Sequence, residues 1–386
     1  MKSVPFFPPA LFERDREAAL AFLWEMGTGA AQEFTCGEAV SALEADICRE
    51  TGARHAIACA SGSTALTLAL DALGVRPGDE VIVPAFGCQP IAGAVAGRGA
   101  VPVFADIDQR TLVIDPAAAA AAVTAATVAI MPVHVFSVMA DMPEVTALAH
   151  RHGLKVVEDA AVAAGAALGG VPAGRWGDAG VLSFSPFKPL GTCGEGGMVL
   201  TGDDEIARKC RLLRGPGGTA GAGAELTGYS SGMDELPARF LMRRRTTLAD
   251  RLKRKAEIAG RYSEALAPLA AAGLVRLPPA DPAERTWCHV YALLTGSRDE
   301  LREHLAARGV GTHVYYPVPL PAQAAFARYA GGRHFPHAET VGRANLALPT
   351  HPGVNDQDVA YVIDAVYEFF RAGRRARRER NLHRDL

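Results

Sequence analysis

The residue best placed for covalent chemistry is Lys188, in Ser183-Phe-Ser-Pro-Phe-Lys188-Pro-Leu-Gly191. It follows a strand-like run, stands between Phe187 and Pro189, and precedes the glycine-rich run Gly191–Gly197. Burial disfavours an ammonium, so a lysine in apolar company supplies the amine that condenses with an aldehyde as a Schiff base. Ser183 offers a hydroxyl for a phosphate held nearby. The plainer alternative is a surface lysine on a loop. Asp159 closes Lys155-Val-Val-Glu-Asp159, which places it at the carboxyl end of a strand, where open α/β sheets bind ligands. A buried carboxylate there needs a cationic partner, and a protonated ring nitrogen is one. A helix N-cap is the alternative, because Asp is a favoured cap and Ala160-Ala161 follows. In Ala60-Ser61-Gly62-Ser63-Thr64, small and hydroxylic residues open a helix after a strand. Their N–H groups and the helix dipole suit a phosphate, and a simple Ser/Thr cap fits equally.

Together these segments offer a phosphate cup, an acid for a pyridine nitrogen and a desolvated lysine, the three fixtures that pyridoxal phosphate requires. The elements that must position them follow an α/β rhythm. Strands are expected at Ala56–Cys59, Glu80–Val83, Val101–Ala105, Thr127–Val133, Lys155–Glu158, Ala179–Phe184 and Gly197–Leu200. Helices are expected at Thr64–Leu73, Gln89–Ala96, Pro116–Ala125 and Pro143–His152. The alternation predicts a mainly parallel sheet in a large domain. Six glycines between Arg214 and Tyr229 mark a loop. A long helical pattern spans Met233–Tyr262, and its basic half, Arg243 to Lys255, reads as a solvated face. We place the domain boundary within that pattern, giving residues 1–247 and 248–386. The second part, with Trp287–Leu294, Arg298–Arg308, Gly311–Tyr316 and Asp356–Phe370, reads as a smaller α+β domain. The arginine-rich tail from Arg371 reads as a frayed end.

Composition narrows the partners. The 386 residues are 49% hydrophobic and 21% charged, which suits a globular protein with a real core. Lys+Arg at 40 against Asp+Glu at 42 leaves a charge of -2, so no global field favours nucleic acid or an anionic membrane. The seven cysteines include no C-x-x-C pair, which argues against a zinc cluster or disulfide framework. Met1 to Ala10 lacks a signal-peptide core, and the alanine-rich Pro116–Val133 is too weakly apolar to span a membrane. A cytoplasmic setting is therefore expected.

The chain resembles the DegT/StrS family of pyridoxal-phosphate-dependent sugar aminotransferases, from about Pro5 to Phe370. The resemblance rests on Ser61-Gly-Ser-Thr-Ala-Leu, Pro77-Gly-Asp-Glu-Val-Ile-Val-Pro84, Pro102-Val-Phe-Ala-Asp-Ile-Asp108, Pro132-Val-His134, Glu158-Asp-Ala-Ala161, Gly177-Asp178, Ser183-Phe184 with Lys188, Gly194-Glu-Gly-Gly197, Gly232-Met-Asp-Glu-Leu236, and Phe335-Pro336 through Leu348-Pro349. It implies the fold-type-I architecture of aspartate aminotransferase: a large α/β domain with a mainly parallel sheet and a smaller C-terminal α+β domain. It also implies that Lys188 forms the Schiff base and moves the proton, that Asp159 faces the pyridinium, and that Gly62, Ser63 and Ser183 hold the phosphate. A dehydratase branch carries histidine at the lysine position, so Lys188 favours amino transfer.

Several positions depart from the family pattern. Cys88 occupies the place of a ring that stacks on the cofactor, with Phe86 a candidate substitute. Val162 replaces a residue that bonds the cofactor's phenolic oxygen, which makes His134 a candidate neighbour or a satisfied core histidine. Ser230 stands where an asparagine reaches the cofactor of the partner subunit, implying a homodimer with shared sites. Tyr315 and Pro321 replace histidines toward the substrate. The expected activity is transfer of an amino group from glutamate or glutamine to a keto sugar, keto cyclitol or related secondary-metabolite ketone. Redirected chemistry on the same cofactor (elimination, decarboxylation or oxidation) and a non-catalytic scaffold are the alternatives.

Overall fold

Short apolar runs bounded by Gly, Pro and Asp become strands buried on both faces, as a sheet covered by helices on each side requires. The computed structural model describes residues 2–28, 34–219, 223–279 and 288–382. The strands are β1 (His55–Cys59), β2 (Glu80–Pro84), β3 (Val101–Ala105), β4 (Thr127–Ile130), β5 (Lys155–Asp159), a small hairpin β6 (Ala167–Leu168) and β7 (Val171–Pro172), then β8 (Ala179–Ser183) and β9 (Gly197–Thr201). Seven of them form one sheet in the order β1-β9-β8-β5-β4-β2-β3. All its pairings are parallel except the two made by β9, which runs against β1 and β8.

Side-chain caps set several helix starts. Ser61 accepts from Thr64 N–H at the head of Gly62–Ala72, Asp115 from Ala117 N–H at Pro116–Ala121, and Asp141 from Glu144 N–H at Met142–His152. Each cap sits before the first turn of a crossover helix. The chain therefore leaves the carboxyl ends of β1, β2, β4, β5 and β8 along one rim, and every segment singled out for chemistry in the large domain except Ser230 begins there.

The expected strands and crossover helices all appear, with ends shifted by a few residues. The extension expected from β4 to Val133 survives as an isolated bridge between Val133 and Asp159. Met233–Tyr262 is two helices, Glu235–Arg245 and Leu248–Ala271, separated at Thr246-Thr247. The glycine-rich loop carries a small hairpin, β10 (Gly218–Thr219) with β11 (Gly223–Ala224), and residues 220–222 lie outside the described residues. Farther on, β12 (Tyr291–Leu294) pairs antiparallel with β13 (Asn345–Leu348). Trp287 lies outside the described residues, and Gly311–Tyr316 contributes only a bridge from His313 to Ala347. The tail expected to fray continues the last helix, Asp356–Leu382. No described helix is long and apolar enough to cross a membrane.

Three apolar clusters hold these parts. One packs Leu68, Ile82, Phe86 and Ile130 around the parallel strands. A second places Leu43, Phe184, Met198 and Leu241 together. The third gathers Tyr262, Tyr291, Leu301, Leu346 and Val362, with Val4 from the N-terminus. The basic helix is not a solvated face throughout. Arg244 donates to Leu11 O at 3.2 Å, Arg251 to Pro189 O at 2.9 Å and Lys255 to His289 O at 2.6 Å. Burial lowers the pKa of all three, that of Arg251 to about 10.

Gly197 marks where β9 meets the head of the helix that Ser61 caps. A Cβ there would stand 2.2 Å from Ser61 O and 2.6 Å from Gly62 N, both backbone atoms. Gly197→Ala is therefore expected to destabilise the protein by about 2–3 kcal/mol, read as a lower denaturant midpoint at unchanged m-value.

Candidate active site

A cavity of about 250 Å³ opens at the rim of the strands. The sheet side supplies Cys88, His134, Asp159 and Lys188, and the later part of the chain supplies His289, His313, Tyr315 and Tyr316. Five residues expected at the site, Cys88, His134, Asp159, Lys188 and Tyr315, thus share one cavity.

Asp159 ends β5 and is buried, and no helix follows it, which removes the N-cap alternative. Its Oδ1 accepts from Ala161 N–H at 3.0 Å, and no hydrogen bond among the described residues takes its other oxygen. Burial pushes its pKa above the ordinary carboxylate value, against the pull of the Ala161 N–H and the Lys188 charge. This is a carboxylate whose surroundings leave room for a cation. Lys188 is half-buried beside exposed Phe187, and Lys188 N–H donates to Ser185 O at 2.9 Å, so the loop turns back on itself there.

Gly62 and Ser183 meet at the next strand end. A Cβ on Gly62 would stand 2.7 Å from Ser183 Cβ, so glycine lets the helix head approach β8. As the first two residues of that helix, Gly62 and Ser63 have N–H groups without a partner inside it. Neither they nor Ser183 are among the cavity's lining residues. Ser230 lies on an exposed loop, at φ 48°, and does not line the cavity of its own chain.

Three expectations need correction. His134 lines the cavity, but both of its ring nitrogens are taken. Nδ1 accepts from Ala140 N–H at 3.1 Å, which puts the ring proton on Nε2, and Nε2 donates to Glu158 Oε1 at 2.8 Å. The ring therefore has no nitrogen for the cofactor oxygen that Val162 cannot reach, or for a substrate group. Phe86 cannot replace the missing stacking ring, because it is fully buried against Phe136 and Tyr316 and does not line the cavity. Pro321 is buried in the turn Leu320–Ala322, also away from the cavity. Cys88 does line it, with its thiol pKa pushed up to about 11 by burial.

Sequence reasoning missed His289, His313, Tyr316, Phe136 and Phe7 as lining residues. A histidine just before the apolar strand β12 was the available signal for His289. The others come from distant parts of the chain and carry no local mark.

The residues present fit pyridoxal phosphate: a half-buried lysine, a buried carboxylate with one oxygen unengaged, and a helix head brought close by Gly62. Fold and site define a fold-type-I enzyme dependent on that cofactor. The family model described as the DegT/DnrJ/EryC1/StrS aminotransferase family matches residues 26–367. The chain belongs to this family, and it is an aminotransferase that uses pyridoxal phosphate. It is 42% identical to a pleiotropic regulatory protein of Geobacillus stearothermophilus, over 88% of this chain and 92% of that one. It is 38% identical to a dTDP-3-amino-3,4,6-trideoxy-alpha-D-glucose transaminase of Streptomyces venezuelae, over 95% and 96%. The crystal structure of S. venezuelae DesV in complex with a ketimine intermediate superposes with a TM-score of 0.88 at 37% identity, covering 96% of this chain and 99% of that one.

Behind the cavity, Glu158 accepts from His134 Nε2, Gly174 N–H and Trp176 N–H at 2.7–2.8 Å. Glu158→Leu strands these buried donors and is expected to cost about 3 kcal/mol of stability in urea titration. It should also shift the His134 Nε2 ¹⁵N resonance, because that N–H loses its acceptor while the Ala140 N–H still faces Nδ1.

Proposed function

We propose that this aminotransferase moves an amino group from glutamate or glutamine to a keto sugar, keto cyclitol or related secondary-metabolite ketone. The observation that carries the reading is the convergence of Lys188 and Asp159 in one cavity at the carboxyl rim of the sheet. The names of the relatives, a nucleotide-linked 3-amino sugar transaminase among them, support a sugar acceptor.

Bound there, pyridoxal phosphate supplies a carbonyl that takes up the amino group and a protonated ring that draws electrons from the reacting carbon. Lys188 provides the amine that anchors the cofactor and then the base that moves the proton, a task its place in the cavity suits. Asp159 keeps the ring nitrogen protonated, and the cation there offsets the cost of burying the carboxylate. Gly62, Ser63 and Ser183 hold the phosphate through the helix head and the strand-end hydroxyl. Cys88 would offer the cofactor a small apolar surface, and Tyr315 would shape the substrate side.

Ser230 acts on the cofactor of a partner subunit in a homodimer. Its position on an exposed loop outside its own cavity supports that role. The chain divides into a cofactor-binding part, 1–247, and a smaller part, 248–386, in keeping with the break at Thr246-Thr247 and the separate cluster around Tyr262. A cytoplasmic setting accords with seven unpaired thiols.

Addition of L-glutamate, then L-glutamine, to the protein loaded with pyridoxal phosphate is expected to abolish the visible band of the bound cofactor. Lys188→Ala should slow that change by about a thousandfold or more. Asp159→Asn keeps the volume but loses the charge, and should slow it about a hundredfold. A band untouched by both donors would rule out glutamate and glutamine as donors.

A further inference from the structure

His289 lines the cavity that holds Lys188, and neither of its ring nitrogens meets a hydrogen-bond partner among the described residues. Its Nδ1 is fully shielded from solvent. Of the other histidines of the cavity, His134 gives both nitrogens to Glu158 and Ala140, and His313 packs its ring on Phe6 at 5.5 Å and against Tyr315 at 4.4 Å. A buried polar nitrogen without a partner is uncommon in native proteins and calls for something that completes it.

The backbone of His289 is pinned at both ends of the residue. Its N–H donates to Phe136 O at 3.2 Å, and its carbonyl accepts from the buried Lys255 ammonium at 2.6 Å. The ring is thus delivered to the cavity from a fixed main chain, as a side chain that must discriminate between ligands requires. Burial first, then the Lys255 and Lys188 charges, hold its pKa well below the usual histidine value. With Nδ1 shielded, Nε2 is the nitrogen left to meet a ligand, and in a neutral imidazole it either donates or accepts; a hydroxyl, which does both, complements it in either tautomer. A carboxylate, which only accepts, is met only when the nitrogen facing the cavity carries the proton.

We propose that His289 reads a hydroxyl of the keto acceptor beside its reacting carbon and takes no part in holding the amino donor's carboxylates. This rests on the polyhydroxylated acceptor proposed above. His289 is then a specificity residue for one of the two half-reactions.

The test separates those half-reactions in single turnover. Protein loaded with pyridoxal phosphate, as wild type and as His289→Leu, is mixed with L-glutamate or L-glutamine. It is also mixed with amino-sugar probes that run the acceptor half in reverse: a dTDP-linked 3-amino hexose, a UDP-linked 3-amino hexose and an aminocyclitol. His289→Leu should slow the reactive amino-sugar probe by about tenfold or more while the donor reaction stays within about twofold. His289→Asn, which can still donate and accept, should recover most of the loss.

Calorimetry gives a readout apart from turnover. In a Lys188→Ala background, which cannot complete the reaction, adding His289→Leu should weaken amino-sugar binding by about tenfold. Equal losses in both half-reactions, or no loss in either, would overturn the assignment of His289 alone. A wild type that reacts with a donor and with none of the three probes would overturn the acceptor reading and the role of His289 with it.

Discussion

Adjacent residues of a strand point to opposite faces, so Glu158 and Asp159 cannot serve the same side of β5. The rest of the site depends on this division. Asp159 lines the cavity with one oxygen unengaged, while Glu158 is saturated behind it by His134, Gly174 and Trp176. A buried carboxylate is tolerable when its lone pairs are filled, and Glu158 meets that condition within the protein. Asp159 meets it only halfway, which is why burial shifts its pKa upward and why a cation is its natural complement. Exchanging the two roles would require a one-residue slip of β5 between β4 and β8, which would also turn Val156 and Val157 to the wrong faces.

A second constraint comes from buried cations. Arg251 donates to the carbonyl of Pro189, the residue after Lys188, and Lys255 donates to the carbonyl of His289. Placed four apart, both lie on one side of the helix Leu248–Ala271. That helix therefore carries one tie to the loop of Lys188 and another to the segment of His289, the two walls of the cavity. Backbone carbonyls are modest partners for buried cations, and the lowered pKa values of both groups register the cost. Burial first, and then the positive charge that this arrangement places near the cavity, hold the His289 pKa well below the usual histidine value.

Much of the large domain was legible because its signals are local. Buried parallel strands read as short apolar runs, and Ser61, Asp115 and Asp141 announce helices through caps that depend on a few neighbouring residues. Lys188 and Asp159 were legible because each follows such a strand. What sequence could not give was partnership across the fold. Nothing near Arg251 or Lys255 tells that loops from elsewhere cover them, so a run of cations read as a solvated face. His134 resembled a site residue by position, yet its nitrogens belong to Glu158 and to the Ala140 backbone. Phe86 stood two residues from Cys88, and that nearness alone made it a candidate substitute. The chain has already left β2 by then, and Phe86 turns into the core.

The departures from the family pattern acquire a common physical meaning in the cavity. Cys88 presents a small polarizable group where a ring would give broad face contact, and Val162 presents no hydrogen-bonding atom at all. Neither loss is made good from His134 or Phe86. The cavity is instead rich in rings at its sides: Phe136 and Tyr315 with centroids 6.2 Å apart, and Phe7 against Phe187 at 4.3 Å beside Lys188. On the proposed reading, Lys188, Asp159 and the phosphate cup would carry the hold on the cofactor. Those are the three fixtures whose positions the sheet rim determines most directly.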